Sequence, residues 1–295
     1  MRFAEKQTPA YRIHTSVGAP LHCGQSYPNG LYSQQQVATN QAHPYEFPWI
    51  VAFFERQIFL GGGSLVTENC VLTVAHLLVN KTKESLVVKA GIWDLTAPNS
   101  RYVEQRRVAR IVLHSEFEYF RQSGANNLAL IVLESSFQAK PHIGFICQPV
   151  PEATFDHQRC LVSGWGKLTQ KDTELSHRLK RVSLSIVDRA TCQVRLRRTS
   201  LGREYQLHPS LICAGGERGR DACKGDGGSP LMCPIAGHPT QYELVGVVNI
   251  GVGCGQPDVP GLYTSVAQLK PWIDNVLNDD TNSAFKPFPT YDVIL

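Results

Sequence analysis

The sequence predicts an all-β chain, a sandwich or barrel closed by one C-terminal helix, and three observations predict it. From Glu46 onward, short apolar runs alternate with Gly-, Pro- and Asn-containing turns, the density of strands in a sandwich or barrel. The run VSLSIV at 182–187 is apolar at every second position, the period of a strand with one buried face. In SVAQLKPWIDNVL at 265–277, Val266, Leu269, Ile273, Val276 and Leu277 recur at helical spacing, which makes that stretch an amphipathic helix.

The elements follow in order. Residues 1–44 are polar and rich in Pro and Gly, with no periodicity, and read as an irregular leader or linker. EFPWIVAFF (46–54), CVLTVAH (70–76), LALIVL (128–133), VSLSIV and YELVGVVNI (242–250) are the strand runs, and residues 45–277 form the folded unit. The tail at 278–295 is polar and then broken by prolines, as a loosely ordered terminus is. There is no internal repeat.

Composition narrows the function. Hydrophobic residues are 42% and charged residues 18% of the 295 positions, ordinary for a globular protein with a sizeable core. A net charge of +4 gives no general case for nucleic acid as partner. The local basic runs RRVAR (106–110) and RLRR (195–198) read as solvated faces, with a polyanion or acidic partner as the sharper alternative. No apolar run reaches the roughly 18–20 residues a membrane span needs. The first residues, MRFAEKQTPAYRIHT, lack the apolar core of a secretory signal. Nine cysteines in a β-rich chain nevertheless point to disulfides and an oxidising compartment. The expectation is a secreted protein whose leader lies upstream of this chain. Asn80, in NKT, is a glycosylation candidate and fits secretion.

The motifs GGGSLV, LTVAH, NNLALI, VSGWG, ICAGG, GDGGSP, VPGLY and KPWI are spread over the region from Tyr45 to Leu277. Together they resemble a whole trypsin-like serine protease domain. That resemblance implies two antiparallel six-stranded β-barrels with a C-terminal helix and a site between the barrels. CGQSYPNG, LGREYQLHPSLICAGG and GDGGSP are similar, more narrowly, to the clip-domain serine protease homologs of arthropods. No clip module is visible, since the leader holds only Cys23.

Such a protease needs a nucleophile, an imidazole base, an orienting carboxylate and backbone donors for the oxyanion. The resemblance places the base at His76 in TVAHLL. Where the family has its orienting aspartate this chain has Asn127, whose amide can hold the tautomer that accepts no proton from a hydroxyl; that loss alone costs roughly 10⁴ in turnover. Where the family has its serine this chain has Gly227, and losing the nucleophile costs on the order of 10⁶. Ser229 lies two residues further along a tight loop, several Å away, and attack tolerates errors of only about 1 Å. The degenerate positions His76, Asn127 and Gly227 are therefore expected to do no catalysis. Gly225 remains as a remnant of the oxyanion hole.

The family is activated by cleavage after a basic residue, and the new ammonium pairs with the aspartate before the nucleophile. Here that region reads SQQQVATNQAH, with no basic cleavage residue. Asp226, the matching aspartate, is expected to lack its usual partner, which implies a zymogen-like pocket unless another group satisfies the charge. Asp221 stands where trypsin-like members bind Lys or Arg, Gly251 and Gly261 match the pocket walls, and Asn249-Ile250 replaces the usual Ser-Trp. The pocket reads as a relic or, alternatively, as a socket for a partner's basic side chain.

The family pattern implies the disulfides Cys160–Cys233, Cys192–Cys213, Cys223–Cys254 and Cys23–Cys147. The bridge beside the histidine is missing at both ends, where Gly61 and Leu77 stand. Cys70 is left over and reads as a buried thiol, with an intermolecular bridge as the rival. No metal and no cofactor are implied, because the histidines and cysteines lack ligand-type clustering. The resemblance implies a non-catalytic, secreted cofactor or regulator in an extracellular innate-immune cascade of the prophenoloxidase type. Its partners would be cascade proteases or prophenoloxidase-like zymogens. A weak trypsin-like endopeptidase using Ser229 and a structural or adhesion module are the two rivals.

Overall fold

The computed structural model describes residues 23–32, 36–119 and 123–279. The leader up to residue 22 and the tail from residue 280 lie outside the described residues. Twelve strands close into two barrels. The first contains β1 (Ile50–Glu55), β2 (Ile58–Leu65), β3 (Cys70–Thr73), β4 (Leu86–Ala90), β5 (Glu104–Leu113) and β6 (Ala129–Leu133), in the order β1-β2-β3-β6-β5-β4. The second contains β7 (Arg159–Gly164), β8 (Lys180–Val187), β9 (Leu211–Gly215), β10 (Pro230–Ile235), β11 (His238–Val248) and β12 (Pro260–Ser265), in the order β10-β11-β12-β9-β8-β7. Every pairing within the barrels is antiparallel. Closure leaves no exposed sheet edge.

Strand periodicity shows why the apolar runs are continuous where they are. In β1, Val51 and Phe53 point into the first barrel with Val71, Val88, Val108 and Ile131. Ile50, Ala52 and Phe54 point the other way, into a second core with Leu72, Leu130, Trp165, Met232 and Val247 that joins the barrels. A strand buried on both faces has no place for alternating polar residues. β8 faces the second barrel's interior with Leu184 and Ile186, with Val182 partly buried against the same core, and Ser183 and Ser185 between them are polar, as the VSLSIV pattern requires.

α2 (Val266–Asn278) starts at Ser265, whose hydroxyl accepts from Gln268 N at 3.3 Å, and buries Val266, Leu269 and Ile273. A second helix, α1 (Arg189–Leu196), adds to the single helix expected from sequence. Asp188 caps it by accepting from Thr191 N at 2.9 Å, and Cys192 and Leu196, one turn apart, are its only buried residues. Two anchors in eight residues make a weak periodic signal.

Four disulfides close: Cys23–Cys147, Cys160–Cys233, Cys192–Cys213 and Cys223–Cys254. Cys70 is buried outside them, its thiol 3.6 Å from Asn69 Oδ1. Near the histidine, Leu77 Cδ1 lies 2.5 Å from where a Cβ on Gly61 would stand, so a leucine side chain fills the space between the two positions. Residues 23–32 and 36–44 contain no strand but are pinned to the barrels: Ser26 N donates to Thr240 O (2.8 Å), Ala42 N to Leu179 O (2.9 Å), and Arg181 N to Asn40 O (2.9 Å). Asn80 is exposed in a turn at φ 59°.

Candidate functional site

The site lies between the barrels, and its first part comes from the ends of barrel-one strands. His76 sits in a 3-10 turn, Ala75–Leu77, just after β3, and Asn127 sits just before β6. β3 and β6 are adjacent antiparallel neighbours, which brings the two residues together. His76 N donates to Asn127 Oδ1 at 2.9 Å, and Asn127 Nδ2 contacts His76 Nδ1 at 2.8 Å. The backbone contact decides the amide's orientation, because only its oxygen can accept from an N–H.

Asn249, just after β11, enforces the same orientation from the other side. Its Nδ2 donates to Gly124 O (2.7 Å) and Thr264 Oγ1 (2.9 Å), which turns its Oδ1 toward Asn127 Nδ2 at 2.6 Å. Thr264 Oγ1 in turn donates to Asn127 O at 2.8 Å. Asn127 therefore presents N–H to the imidazole. His76 Nδ1 accepts, and the ring proton resides on Nε2. Burial holds the imidazole below its ordinary pKa, so the ring is neutral at pH 7. Its Nε2 is a donor and cannot take a proton from a hydroxyl.

Gly227 faces that donor. A Cβ at residue 227 would lie 3.4 Å from His76 Nε2, so the glycine leaves open the space a nucleophile's side chain would fill. Ser229 does not enter it. The serine is fully buried, with its Oγ 2.4 Å and 2.5 Å from the positions a Cβ would take on Gly62 and Gly164. A hydroxyl enclosed in this way has no access to substrate.

The loop carrying Gly227 is held by a cation that sequence reasoning missed. Asp226 is fully buried; its Oδ1 accepts from Gly166 N (2.8 Å) and its Oδ2 from Cys223 N (2.8 Å). Lys180 Nζ, itself buried, forms an ion pair with Asp226 Oδ2 and donates to Lys167 O at 2.8 Å. Another group does satisfy the charge of Asp226 in place of the usual new ammonium: Lys180, the first residue of β8. The uncut chain helps position it, since Gln41 forms a β-bridge with Lys180. A signal existed in the sequence. Lys180 shares the inward parity of Leu184 and Ile186, and an ionisable side chain on the core face of a strand requires a buried counter-charge.

Asp221 is the residue expected at the base of the specificity pocket. Its Oδ2 accepts from Gly255 N at 3.0 Å, while its Oδ1 is buried without a hydrogen-bond partner among the described residues. Gly261 packs closely against it, because a Cβ there would lie 3.1 Å from Asp221 Oδ1 and 3.3 Å from Tyr263 OH. The Tyr263 hydroxyl is likewise buried and unbonded among the described residues. Gly251 is exposed, and the Cys223–Cys254 disulfide bridges the two loops around Asp221.

Burial raises the Asp221 pKa from 3.8 to about 6. The folded pKa exceeds the unfolded one, so the protonated carboxyl favours folding below pH 3.8 and that contribution is lost as pH rises through about 6. At pH 7.5 the buried carboxylate thus carries a cost of about 2–3 kcal/mol. Asp221→Asn is expected to stabilise the protein by that amount in urea unfolding at pH 7.5, and by little at pH 3.5. Equal stability of the two proteins at pH 7.5 would show that the carboxylate is solvated.

Among the described residues, no group of three or more His, Cys, Asp or Glu is placed to hold a metal, and no helix is long and apolar enough to cross a membrane. Two six-stranded barrels flanking His76, Asn127 and Gly227 define a chymotrypsin-type scaffold. The trypsin family model matches residues 36–273, and the chain belongs to that family, among the clip-domain serine protease homologs. It is 39% identical to phenoloxidase-activating factor 2 of Galleria mellonella, over 78% of this chain and 80% of that protein. It is 38% identical to inactive CLIP domain-containing serine protease A8 of Anopheles gambiae, over 85% of this chain and 70% of the relative. Inactive CLIP domain-containing serine protease A28 of the same species is 34% identical, over 90% and 70%.

Proposed function

We propose that the chain is a non-catalytic serine protease homolog, a secreted cofactor or regulator in an extracellular proteolytic cascade of the phenoloxidase-activating type. One observation carries the non-catalytic reading: Gly227 faces an imidazole whose ring proton Asn127 holds on Nε2. A base in the wrong tautomer and an absent nucleophile each remove the acyl-transfer step, and their losses do not simply add. The names of the relatives support the cascade, and four disulfides favour an oxidising compartment. The partners on this reading are cascade proteases or prophenoloxidase-like zymogens, met through the cleft or through the basic faces around Arg106 and Arg197.

The purified chain is expected to hydrolyse arginyl and lysyl esters no faster than buffer does. Turnover that disappears in a Ser229→Ala variant would reinstate the weak endopeptidase. Inert protein that has no effect on prophenoloxidase activation in reconstituted plasma would favour the structural module instead.

A further inference from the structure

We propose that the hollow at the end of α1, lined by Arg197, Arg198 and Arg203, is a docking site for an acidic peptide segment of a partner protein, one that carries an aliphatic side chain among its carboxylates. The inference rests on the reading that the chain acts by binding, and it names the surface and the partner's chemistry.

The two basic runs of the sequence differ in how the fold treats their charge. In RRVAR, Arg106 pairs with Glu104 (2.9 Å) and stacks over the Phe137 ring, while Arg107 pairs with Glu134 (2.8 Å). The chain neutralises these two cations itself. In RLRR, Arg195 meets Asp258 at 3.9 Å. Arg197 and Arg198, and Arg203 beyond them, pair with no carboxylate among the described residues, and Glu204 is exposed.

The three unpaired guanidiniums line one open hollow of about 600 Å³ with Val194, Thr199 and Gly202, the size of an ordinary ligand pocket. The backbone explains the convergence. Past α1 the chain winds on, with Thr199 N donating to Leu196 O (3.0 Å) and Gly202 N to Thr199 O (3.1 Å). Gly202 at φ 83° then turns it back, so that Arg203 faces the same space as Arg197 and Arg198. A Cβ on Gly202 would meet nothing within 4 Å, so the turn and not crowding requires the glycine. The frame is anchored. The Cys192–Cys213 disulfide joins α1 to β9, Leu196 and Leu207 are buried in the same cluster, and Arg197 Nε donates to Tyr205 O at 2.8 Å. That bond leaves both Nη groups of Arg197 for a ligand.

Cations near the C-terminus of α1 complement the helix dipole, which accounts for Arg195 and Arg197. It does not account for Arg203, outside the helix, or for three like charges around one hollow. An anion relieves their repulsion, and each guanidinium fork can take a carboxylate with two hydrogen bonds. Val194 discriminates among anions. It is 49% exposed and places an aliphatic surface beside the guanidiniums. A peptide brings carboxylates and an apolar side chain together, whereas a sulfated polysaccharide leaves that surface uncovered.

The test is fluorescence anisotropy of the full chain with the labelled peptide Glu-Glu-Leu-Glu-Glu-Leu, with its glutamine-for-glutamate counterpart and with its alanine-for-leucine counterpart. The parent peptide is expected to bind best, and more weakly as salt rises to about 0.5 M; the glutamine peptide should not bind. Arg198→Gln/Arg203→Gln, changes at two exposed side chains, should weaken binding about tenfold, the scale of two exposed ion pairs, with the thermal midpoint unchanged. Arg106→Gln/Arg107→Gln removes the same charge from the other run and should leave the affinity within about twofold. Val194→Ser should abolish the preference for leucine over alanine. No binding of the acidic peptide, no preference for leucine, a preference that survives Val194→Ser, or equal losses in the two double variants would overturn the docking site. Binding of heparin through Arg198 and Arg203 by a protein that ignores the peptide would overturn it in favour of a sulfated polysaccharide. None of these outcomes bears on the non-catalytic reading, which fails separately if an arginyl ester is turned over.

Discussion

Replacing Lys180 with methionine is expected to cost the fold about 3–5 kcal/mol in urea unfolding at pH 7.5. The two charges are buried together, and Asp226 keeps two backbone N–H donors that fix it in place. Removing the ammonium leaves a carboxylate that can neither leave nor reach water. The loop from Cys223 to Pro230, which carries Gly225 and Gly227, then has every reason to rearrange. Asp226→Asn in the same chain removes the orphaned charge and keeps a carbonyl oxygen for Gly166 N, but its NH₂ then faces Cys223 N, so the Lys180→Met/Asp226→Asn pair should recover only part of the stability. The comparison separates electrostatics from packing, because methionine keeps nearly the same volume. A Lys180→Met protein as stable as the parent would mean that the ion pair does not hold the loop.

The barrels were legible in the sequence because their causes are local. Continuous apolar runs such as LALIVL can only be strands buried on both faces, and VSLSIV can only be one with a polar side; α1 escaped notice because its apolar face is two residues wide. The candidate site was legible in part. Gly227 and Asn127 are visible as letters against the family motif, but which end of the Asn127 amide meets the imidazole is a tertiary fact. It is settled by His76 N and by Asn249, which lies 122 residues away in the chain. Lys180 was missed for a related reason. The family meets this aspartate with a new N-terminus, whereas here the charge is met from a strand far from that terminus in sequence. The polar leader hid its role similarly: its hydrogen bonds run through backbone atoms to Leu179 and Arg181, which composition cannot reveal.

A triple variant, Asn127→Asp/Gly227→Ser/Asn249→Ser, is expected to hydrolyse arginyl esters about 10³–10⁴-fold faster than Gly227→Ser alone. Gly227→Ser supplies a hydroxyl, since its Cβ would stand 3.4 Å from His76 Nε2, but that nitrogen still carries the proton. Asn127→Asp reverses the tautomer by giving Nδ1–H an acceptor. Without the third change it also places a carboxylate oxygen against Asn249 Oδ1, where an N–H now sits at 2.6 Å. Asn249 cannot turn to oblige, because its Nδ2 is held by Gly124 O and Thr264 Oγ1. Serine, the family's usual residue at that position, can donate to the new carboxylate. The three effects should be strongly non-additive, with Asn127→Asp/Gly227→Ser well below the triple variant. The Lys180–Asp226 pair makes a further demand: activity must appear in the uncut single chain and disappear when Lys180→Met is added. Activity that appears only after proteolytic nicking would show that Lys180 does not stand in for a new N-terminus, and a triple variant no faster than Gly227→Ser would refute the assignment of the His76 tautomer.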